Sequence, residues 1–169
     1  IKYGQHYING GREMTREYCG IIAACGGEVN LTIFDGLRVI QHRGQESAGI
    51  ATYSDHLIVK RGSGLVVDAI SAEDLATLQG NAGIGHVRYS TLGGLSKDCH
   101  QQMTVMARFG DMALAHNGEI VNSDELRARL LSGGWGFVTK SDSEVILRLL
   151  AVKMASAGDI VRGIGEAMK

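Results

Sequence analysis

Short apolar runs in this sequence come in pairs separated by tight turns, and this pattern limits the possible folds more than any other feature. Residues 48–54 and 56–62 flank Asp55, and residues 103–110 and 112–118 meet around Gly110 and Asp111. Such pairs are typical of antiparallel hairpins. The strict alternation of strand and helix that a doubly wound parallel sheet requires is missing. We therefore predict an α+β fold, a mostly antiparallel sheet with helices outside it.

Helix signals fall in other segments. Residues 31–44 carry apolar residues at helical spacing and end at a glycine. Asn122 begins an amphipathic segment that stops at Gly133, and Ser141 begins a longer one in which Glu144, three positions on, predicts a capping box. Two short helices and two single strands complete the pattern, in residues 71–80, from residue 159, in residues 19–25 and in residues 82–91.

Composition excludes several classes of function. A chain of 169 residues that is 44% hydrophobic suits one compact domain. A net charge of −1 gives no electrostatic reason to expect nucleic acid as a partner. The sequence shows neither a run of roughly 18 apolar residues nor a signal peptide, so we predict no membrane partner and a cytoplasmic location. The 3 cysteines lack metal-ligand spacing, so we expect free thiols and no metal site.

The texture of the chain changes at Cys19. Residues 1–18 are polar and show neither a helical period nor a strand alternation, so they are interpreted as a leader, propeptide or tag. Residues 19–169 then form the domain. An isolated cysteine is usually a small buried hydrophobe. If the bond before Cys19 were cut, however, its own α-amino group, with a pKa near ~7.7–8, would be able to take the thiol proton.

Polar residues at Arg88, at Asn117-Gly118 and at Asp142 each have two interpretations. Arg88 is either a surface cation or a guanidinium that binds a substrate carboxylate in a two-pronged fork. Asn117-Gly118 is either a hairpin turn or a pair of donors, side-chain amide and glycine N–H, that forms an oxyanion hole. Asp142 either stabilises a helix N-terminus or holds a substrate ammonium.

For three histidines and for Arg43, the sequence context favours structural roles over catalytic ones. His42, His86 and His116 stand near the motifs without metal-ligand spacing, and we expect them to be buried and hydrogen-bonded rather than catalytic. Arg43 either pairs with Glu46 on the surface or plays a local part near the nucleophile.

Five motifs in a fixed order carry a family resemblance. They are CGI at Cys19, HRGQESAGI at residues 42–50, GHVRYST at residues 85–91, LAHNGEIVN at residues 114–122 and SDSE at residues 141–144. Over residues 19–150 they resemble the class II glutamine amidotransferases, the N-terminal-nucleophile glutaminases. HRGQESAG and VRYST are most similar to the amidophosphoribosyltransferase branch. The hexosephosphate aminotransferases tend instead to show RGYDSAG and TRWATHG, and the asparagine synthetases HRGPDG.

The resemblance implies a fold and an activity. The fold would be the αββα sandwich of the N-terminal-nucleophile hydrolases, and the activity would release ammonia from glutamine for transfer to phosphoribosyl pyrophosphate, opening purine synthesis. It also implies the roles of individual residues, in which Cys19 attacks the glutamine amide and Asn117 with Gly118 forms the oxyanion hole. By the same resemblance, Arg88 and Thr91 hold the substrate carboxylate, and Asp142 holds its ammonium. Tyr89 to Lys97 would form the loop that closes over the site, with Arg43 beneath it.

The same resemblance implies parts that this chain does not show. The sequence ends at Lys169, before the strands that complete the family's sheet and before the phosphoribosyltransferase domain, so we expect a truncated domain. No cofactor motif is visible in it. Magnesium, and in some members an iron–sulfur cluster, would belong to the missing domain, and a homo-oligomer is expected of the full-length protein.

Three other functions compete with this interpretation. One is a glutaminase domain that serves another acceptor, such as fructose 6-phosphate. The second is an unprocessed, non-catalytic glutamine-binding module in which Cys19 is never released. The third, a papain-like cysteine hydrolase, needs a Cys-Gly-x-Cys-Trp context, which is absent from the sequence.

Overall fold

A computed structural model of the chain describes residues 19–89, 103–108 and 110–169. Its larger sheet, sheet A, is antiparallel with strand order β1-β4-β2-β3. These strands are β1 (Gly20–Cys25), β2 (Ser47–Tyr53), β3 (Leu57–Ser63) and β4 (Ala82–Arg88). Sheet B is an antiparallel pair of β5 (Met103–Ala107) and β6 (Gly110–Leu114). Both predicted hairpins, β2–β3 and β5–β6, are confirmed.

The described helices are α1 (Asn30–Ile40), α2 (Val66–Ala69), α3 (Ala72–Thr77), α4 (Ser123–Ser132), α5 (Asp142–Ala157) and α6 (Ile160–Ala167). A 3₁₀ turn, Gln41–Arg43, extends α1 toward the predicted glycine stop. The sequence did not predict α2, because one turn of four residues is too short to show a helical period.

Helix α1 covers the outer face of sheet A. Ile33 and Leu37 of α1 are fully buried in a cluster that contains Ile50 of β2 and Val87 of β4. Burying an aliphatic side chain of this kind stabilises the fold by roughly 1.5–3 kcal/mol. This cluster fixes the outer face of the sheet, so the side chains that alternate with it point toward sheet B.

Helix α5 covers sheet B in the same way, through a cluster of Val105, Leu147 and Ala151. The two sheets face each other, because a cavity between them is lined by Ala51 of β2 and by Ala113 of β6. The layers therefore run helix, sheet, sheet, helix. The αββα sandwich implied by the family resemblance is confirmed.

Helix starts agree with the sequence except in one detail. Ser71 and Asp74 form a reciprocal capping box at α3. Ser141 is the N-cap of α5, but its hydroxyl accepts from the N–H of Ser143, and Glu144 bonds to the preceding loop instead of to Ser141. The predicted S-x-x-E capping box at Ser141 is therefore wrong, because Glu144 accepts from Val138 and Thr139 of the loop before α5, and the N–H of Ser141 donates to the hydroxyl of Thr139.

Candidate active site

The nucleophile candidate lies at one end of sheet A. Cys19 directly precedes β1, whose first residue, Gly20, is paired with Val87 of β4. A side chain at Gly20 would point at α1, since a Cβ there would lie 2.7 Å from Ile40 Cδ1. By alternation Cys19 points the other way, to the inner face, beside Arg88.

The thiol of Cys19 contacts the backbone just beyond β4. The N–H of Tyr89 donates to Cys19 Sγ at 3.4 Å, and Sγ lies 3.6 Å from the carbonyl oxygen of Tyr89. A backbone N–H aimed at sulfur supplies a hydrogen bond to a thiolate. Tyr89, which the family resemblance assigns to the closing loop, thus lies beside Cys19, with 38% of its surface exposed.

Two side chains converge on the carbonyl oxygen of Cys19. Arg43 donates to it from Nε at 3.3 Å, and Asn117 donates from Nδ2 at 2.6 Å. The 3₁₀ turn carries Arg43 to this position, so Arg43 lies beside Cys19, the candidate nucleophile. The backbone of Cys19 is therefore anchored from two separate parts of the chain.

Gly44 lets the segment after the 3₁₀ turn lie directly against β4. A Cβ at Gly44 would come within 2.6–2.8 Å of the backbone atoms of Arg88. Arg88 is the last residue of β4, is partly buried and is paired with Ser47 of β2. Its carbonyl accepts from the N–H of Glu46 at 3.1 Å.

Asn117 and Gly118 are not a hairpin turn. They are exposed and lie in the irregular stretch between β6 and α4. Gly118 has φ +143°, a conformation that residues with a side chain rarely adopt. The position therefore favours glycine for its backbone conformation, and the hairpin interpretation is wrong.

Asp142 connects the start of α5 to that same stretch. Its Oδ2 accepts from the N–H of Ile120 at 3.1 Å, and His116 Nδ1 lies 3.9 Å from its Oδ1. His116 Nδ1 also lies 3.2 Å from the hydroxyl of Ser143. Through these contacts Asp142 is tied to the loop that carries Asn117.

The three histidines differ in environment. His86 is buried, and burial, with a smaller effect of the Arg88 charge, lowers its pKa to about 4. A hydrogen bond to the His116 backbone opposes this shift. His42 is exposed, with Nδ1 3.2 Å from the carbonyl oxygen of Val39, so the prediction that it is buried is wrong.

The loop predicted to close over the substrate is described only at Tyr89. Thr91 and the segment up to Lys97 lie outside the described residues.

Among the residues that the structure describes, no group of three or more His, Cys, Asp and Glu side chains forms a candidate metal site. The magnesium and iron–sulfur cluster concern a further domain and stay predictions. In the described part of the chain, no helix has the length and apolar character needed to cross a membrane.

The sequence did not reveal two charged residues near the site. Arg127 of α4 and Glu144 of α5 both bond to the segment that leads into Asp142. The E of SDSE is the sequence signal for Glu144, and it predicts a cap rather than these contacts. The targets are backbone atoms, which no side-chain pattern identifies.

Comparison with known proteins identifies the family of this chain. A family profile for the glutamine amidotransferase domain matches residues 71–164, more than half of the chain. The chain belongs to the glutamine amidotransferase family. It is 44% identical, over 155 residues and 89% of its length, to the amidophosphoribosyltransferase of Methanocaldococcus jannaschii.

Two solved structures share the fold. One, the allosteric regulatory enzyme of purine biosynthesis, superposes on 77% of the chain with a TM-score of 0.72 and 36% identity. The other, the glutamine phosphoribosylpyrophosphate amidotransferase of B. subtilis with ADP and GMP, covers 79% with a TM-score of 0.70 and 33% identity. The chain spans 33% of the M. jannaschii relative and 29% of each of these solved chains.

Proposed function

We propose that this chain is the glutaminase part of an amidotransferase and hydrolyses glutamine to glutamate and ammonia at Cys19. The observation that carries the proposal is the convergence on Cys19, in which Asn117 and Arg43 hold its carbonyl and the N–H of Tyr89 faces its sulfur. Of these three contacts the one to sulfur is specific to a cysteine, because a thiol that only fills a core needs no N–H aimed at it.

The chemistry requires a free α-amino group on Cys19. Cleavage of the Tyr18–Cys19 bond supplies it, and that amine takes the thiol proton as Sγ attacks the amide carbon of glutamine. The carbonyl oxygen becomes an oxyanion, which the second N–H of the Asn117 amide and the N–H of Gly118 stabilise. The amine returns the proton to the leaving nitrogen, ammonia departs, and water hydrolyses the thioester to release glutamate.

The remaining predicted residues bind the ends of the substrate. Arg88 and Thr91 hold the α-carboxylate of glutamine, and Asp142 holds its ammonium. A closing loop that begins at Tyr89 excludes water and retains ammonia. Support for this arrangement comes from the position of Arg88 beside Cys19 and from the contacts that tie Asp142 to the loop of Asn117.

We further propose that the ammonia is transferred to phosphoribosyl pyrophosphate, as the first step of purine synthesis. The names of the relatives and of the B. subtilis structure support this acceptor over fructose 6-phosphate. The acceptor site would lie in a further domain. Glutamine-dependent release of pyrophosphate from phosphoribosyl pyrophosphate by the full-length protein tests this step, and formation of glucosamine 6-phosphate instead would contradict it.

Selective labelling tests the glutaminase proposal itself. Cys25 is exposed and Cys19 is partly buried, so accessibility alone favours Cys25. We expect a glutamine-analogue electrophile to label Cys19 alone in protein that begins at Cys19, and to abolish glutamate release. Cys19→Ala should remove both labelling and activity. Equal labelling of Cys25 or Cys99, or an active Cys19→Ala variant, would show that the assignment is wrong.

A further inference from the structure

The segment of residues 137–141, which leads into α5, is held from one side by Arg127. Its guanidinium donates from Nη1 to the carbonyl of Thr139 at 2.9 Å and from Nη2 to the carbonyl of Ser141 at 2.9 Å. The same group lies 4.3 Å from the ring centroid of Phe137. Two donors and a stacked face are a geometry that arginine provides and lysine does not.

Glu144 holds the 137–141 segment by its N–H groups. Its carboxylate accepts from the N–H of Val138 at 3.0 Å, and from the N–H and hydroxyl of Thr139 at 2.7 and 2.8 Å. Burial opposes its ionisation, but these hydrogen bonds outweigh burial and lower the pKa of Glu144. A cation therefore binds the carbonyls of the segment while an anion binds its amides.

Whatever fixes this segment also fixes Asp142. Ser141, whose carbonyl Arg127 binds, is the residue before Asp142 and the N-cap of α5. The carboxylate of Asp142 reaches the N–H of Ile120 in the oxyanion-hole loop. A shift of about 1 Å in a group that positions substrate is enough to matter for binding and rate.

We propose that Arg127 is a positioning residue for glutamine recognition, which acts by holding Asp142 against the substrate's α-ammonium group. Glu144 supports the same segment. The inference rests on the role proposed for Asp142, but not on Cys19 being the nucleophile. It predicts weaker binding of the α-ammonium group alone. A general loss of stability would weaken binding of the whole substrate.

Binding of two ligands tests this inference. Glutamine and 4-carbamoylbutanoate, which is glutamine without its α-amino group, are titrated by calorimetry into protein released before residue 19 and carrying Cys19→Ala, so that no turnover occurs. We expect Arg127→Met to raise the Kd for glutamine about tenfold, since it loosens a charge-dependent contact. The Kd for 4-carbamoylbutanoate should stay unchanged. Arg127→Lys should restore only part of the discrimination.

Two controls separate the possible failures. Arg129→Met removes an exposed arginine from the same helix and should leave both Kd values unchanged. In the double variant, Arg127→Met should add little to Asp142→Asn, because the two changes act through one contact. Equal weakening of both ligands, or additive effects with Asp142→Asn, would overturn the positioning role. An unchanged Kd ratio in Asp142→Asn itself would instead refute the role proposed for Asp142, and the inference with it.

Discussion

The side-chain amide of Asn117 donates a hydrogen bond to the backbone carbonyl of Cys19, at a distance of 2.6 Å. A primary amide carries two N–H groups, so this contact uses one and leaves the second for an oxyanion. Asn117 would then hold the nucleophile in place and stabilise the charge that forms on the substrate. Both effects belong to the chemical step rather than to ground-state binding.

Asn117→Ala should therefore lower kcat by a factor on the order of 10²–10³ with little change in KM. Steady-state glutamate release measures both constants. Glutamine binding by the Cys19→Ala protein should be nearly unaffected by the same change. A rise in KM with kcat preserved would remove Asn117 from the oxyanion hole.

Arg88→Ala should act mainly on KM, because a carboxylate fork is made equally in the ground state and in the transition state. The steady-state assay used for Asn117→Ala compares the two variants directly. Arg129→Met is the control, because it also removes one positive charge, from an exposed arginine in α4. If Arg88→Ala and Asn117→Ala gave the same pattern of constants, the two roles would not both be correct.

Residues 1–18 should block activity as long as they remain attached. The bond to Tyr18 turns the α-amine of Cys19 into an amide nitrogen, which has no basicity at neutral pH. We expect no glutamate release from the uncut chain and restored release after cleavage at an engineered protease site. The two forms are matched by circular dichroism, and each N-terminus is checked by mass. Comparable turnover from the uncut form would require another base, with His42, His86 and His116 to be considered.

His86 should make stability depend on pH. Its folded pKa of about 4 lies below the ordinary value of 6.5, so the folded state favours the neutral ring. The stability this gives is complete above pH 6.5 and is lost as the pH falls toward 4. Linkage predicts a loss of about 2 kcal/mol from this group between pH 7 and pH 5. Urea unfolding at both pH values measures it.

The matched variant for that measurement is His86→Gln, which cannot titrate but keeps a side chain able to bond to the backbone of His116. The difference in unfolding free energy between pH 7 and pH 5 should shrink in this variant. If the pH dependence persisted undiminished, other groups would be responsible for it.

Gly44→Ala should destabilise the fold at the candidate site. The added methyl group would meet backbone atoms of Arg88, which are part of the sheet and cannot rotate away. Overpacking of this kind costs roughly 1–3 kcal/mol. Gly136→Ala is the control, since a Cβ there meets nothing within 4 Å. Urea unfolding compares the two variants, and equal stability would contradict the close packing of the turn against β4.

Local features of this fold could be predicted from its sequence. The hairpins β2–β3 and β5–β6 follow from apolar runs around short turns, and the N-cap Ser141 follows from its residue type beside a helical period. The pairing of β1 with β4 could not be predicted, because each strand is compatible with several neighbours and only the assembled core selects among them.

Some residues of the candidate site could be predicted from the sequence, but their contacts could not. The motif containing Cys19 and that containing Asn117 named residues that the structure brings together. The contacts of Arg43 and Arg127 were out of reach, because each bonds to backbone carbonyls. Every residue carries such a carbonyl, so the sequence gives no sign of which one a side chain will bind.

The anchoring of Cys19 also sets when activity can begin. Its contacts come from Arg43, Tyr89 and Asn117, which lie 24, 70 and 98 residues further along the chain. Contacts of such high sequence separation form late in folding, after much of the loop entropy has been lost. During synthesis the ribosome must deliver Asn117 before the surroundings of Cys19 exist. On the proposed function, a nascent or half-folded chain would release no ammonia, because the surroundings of Cys19 exist only in the finished domain.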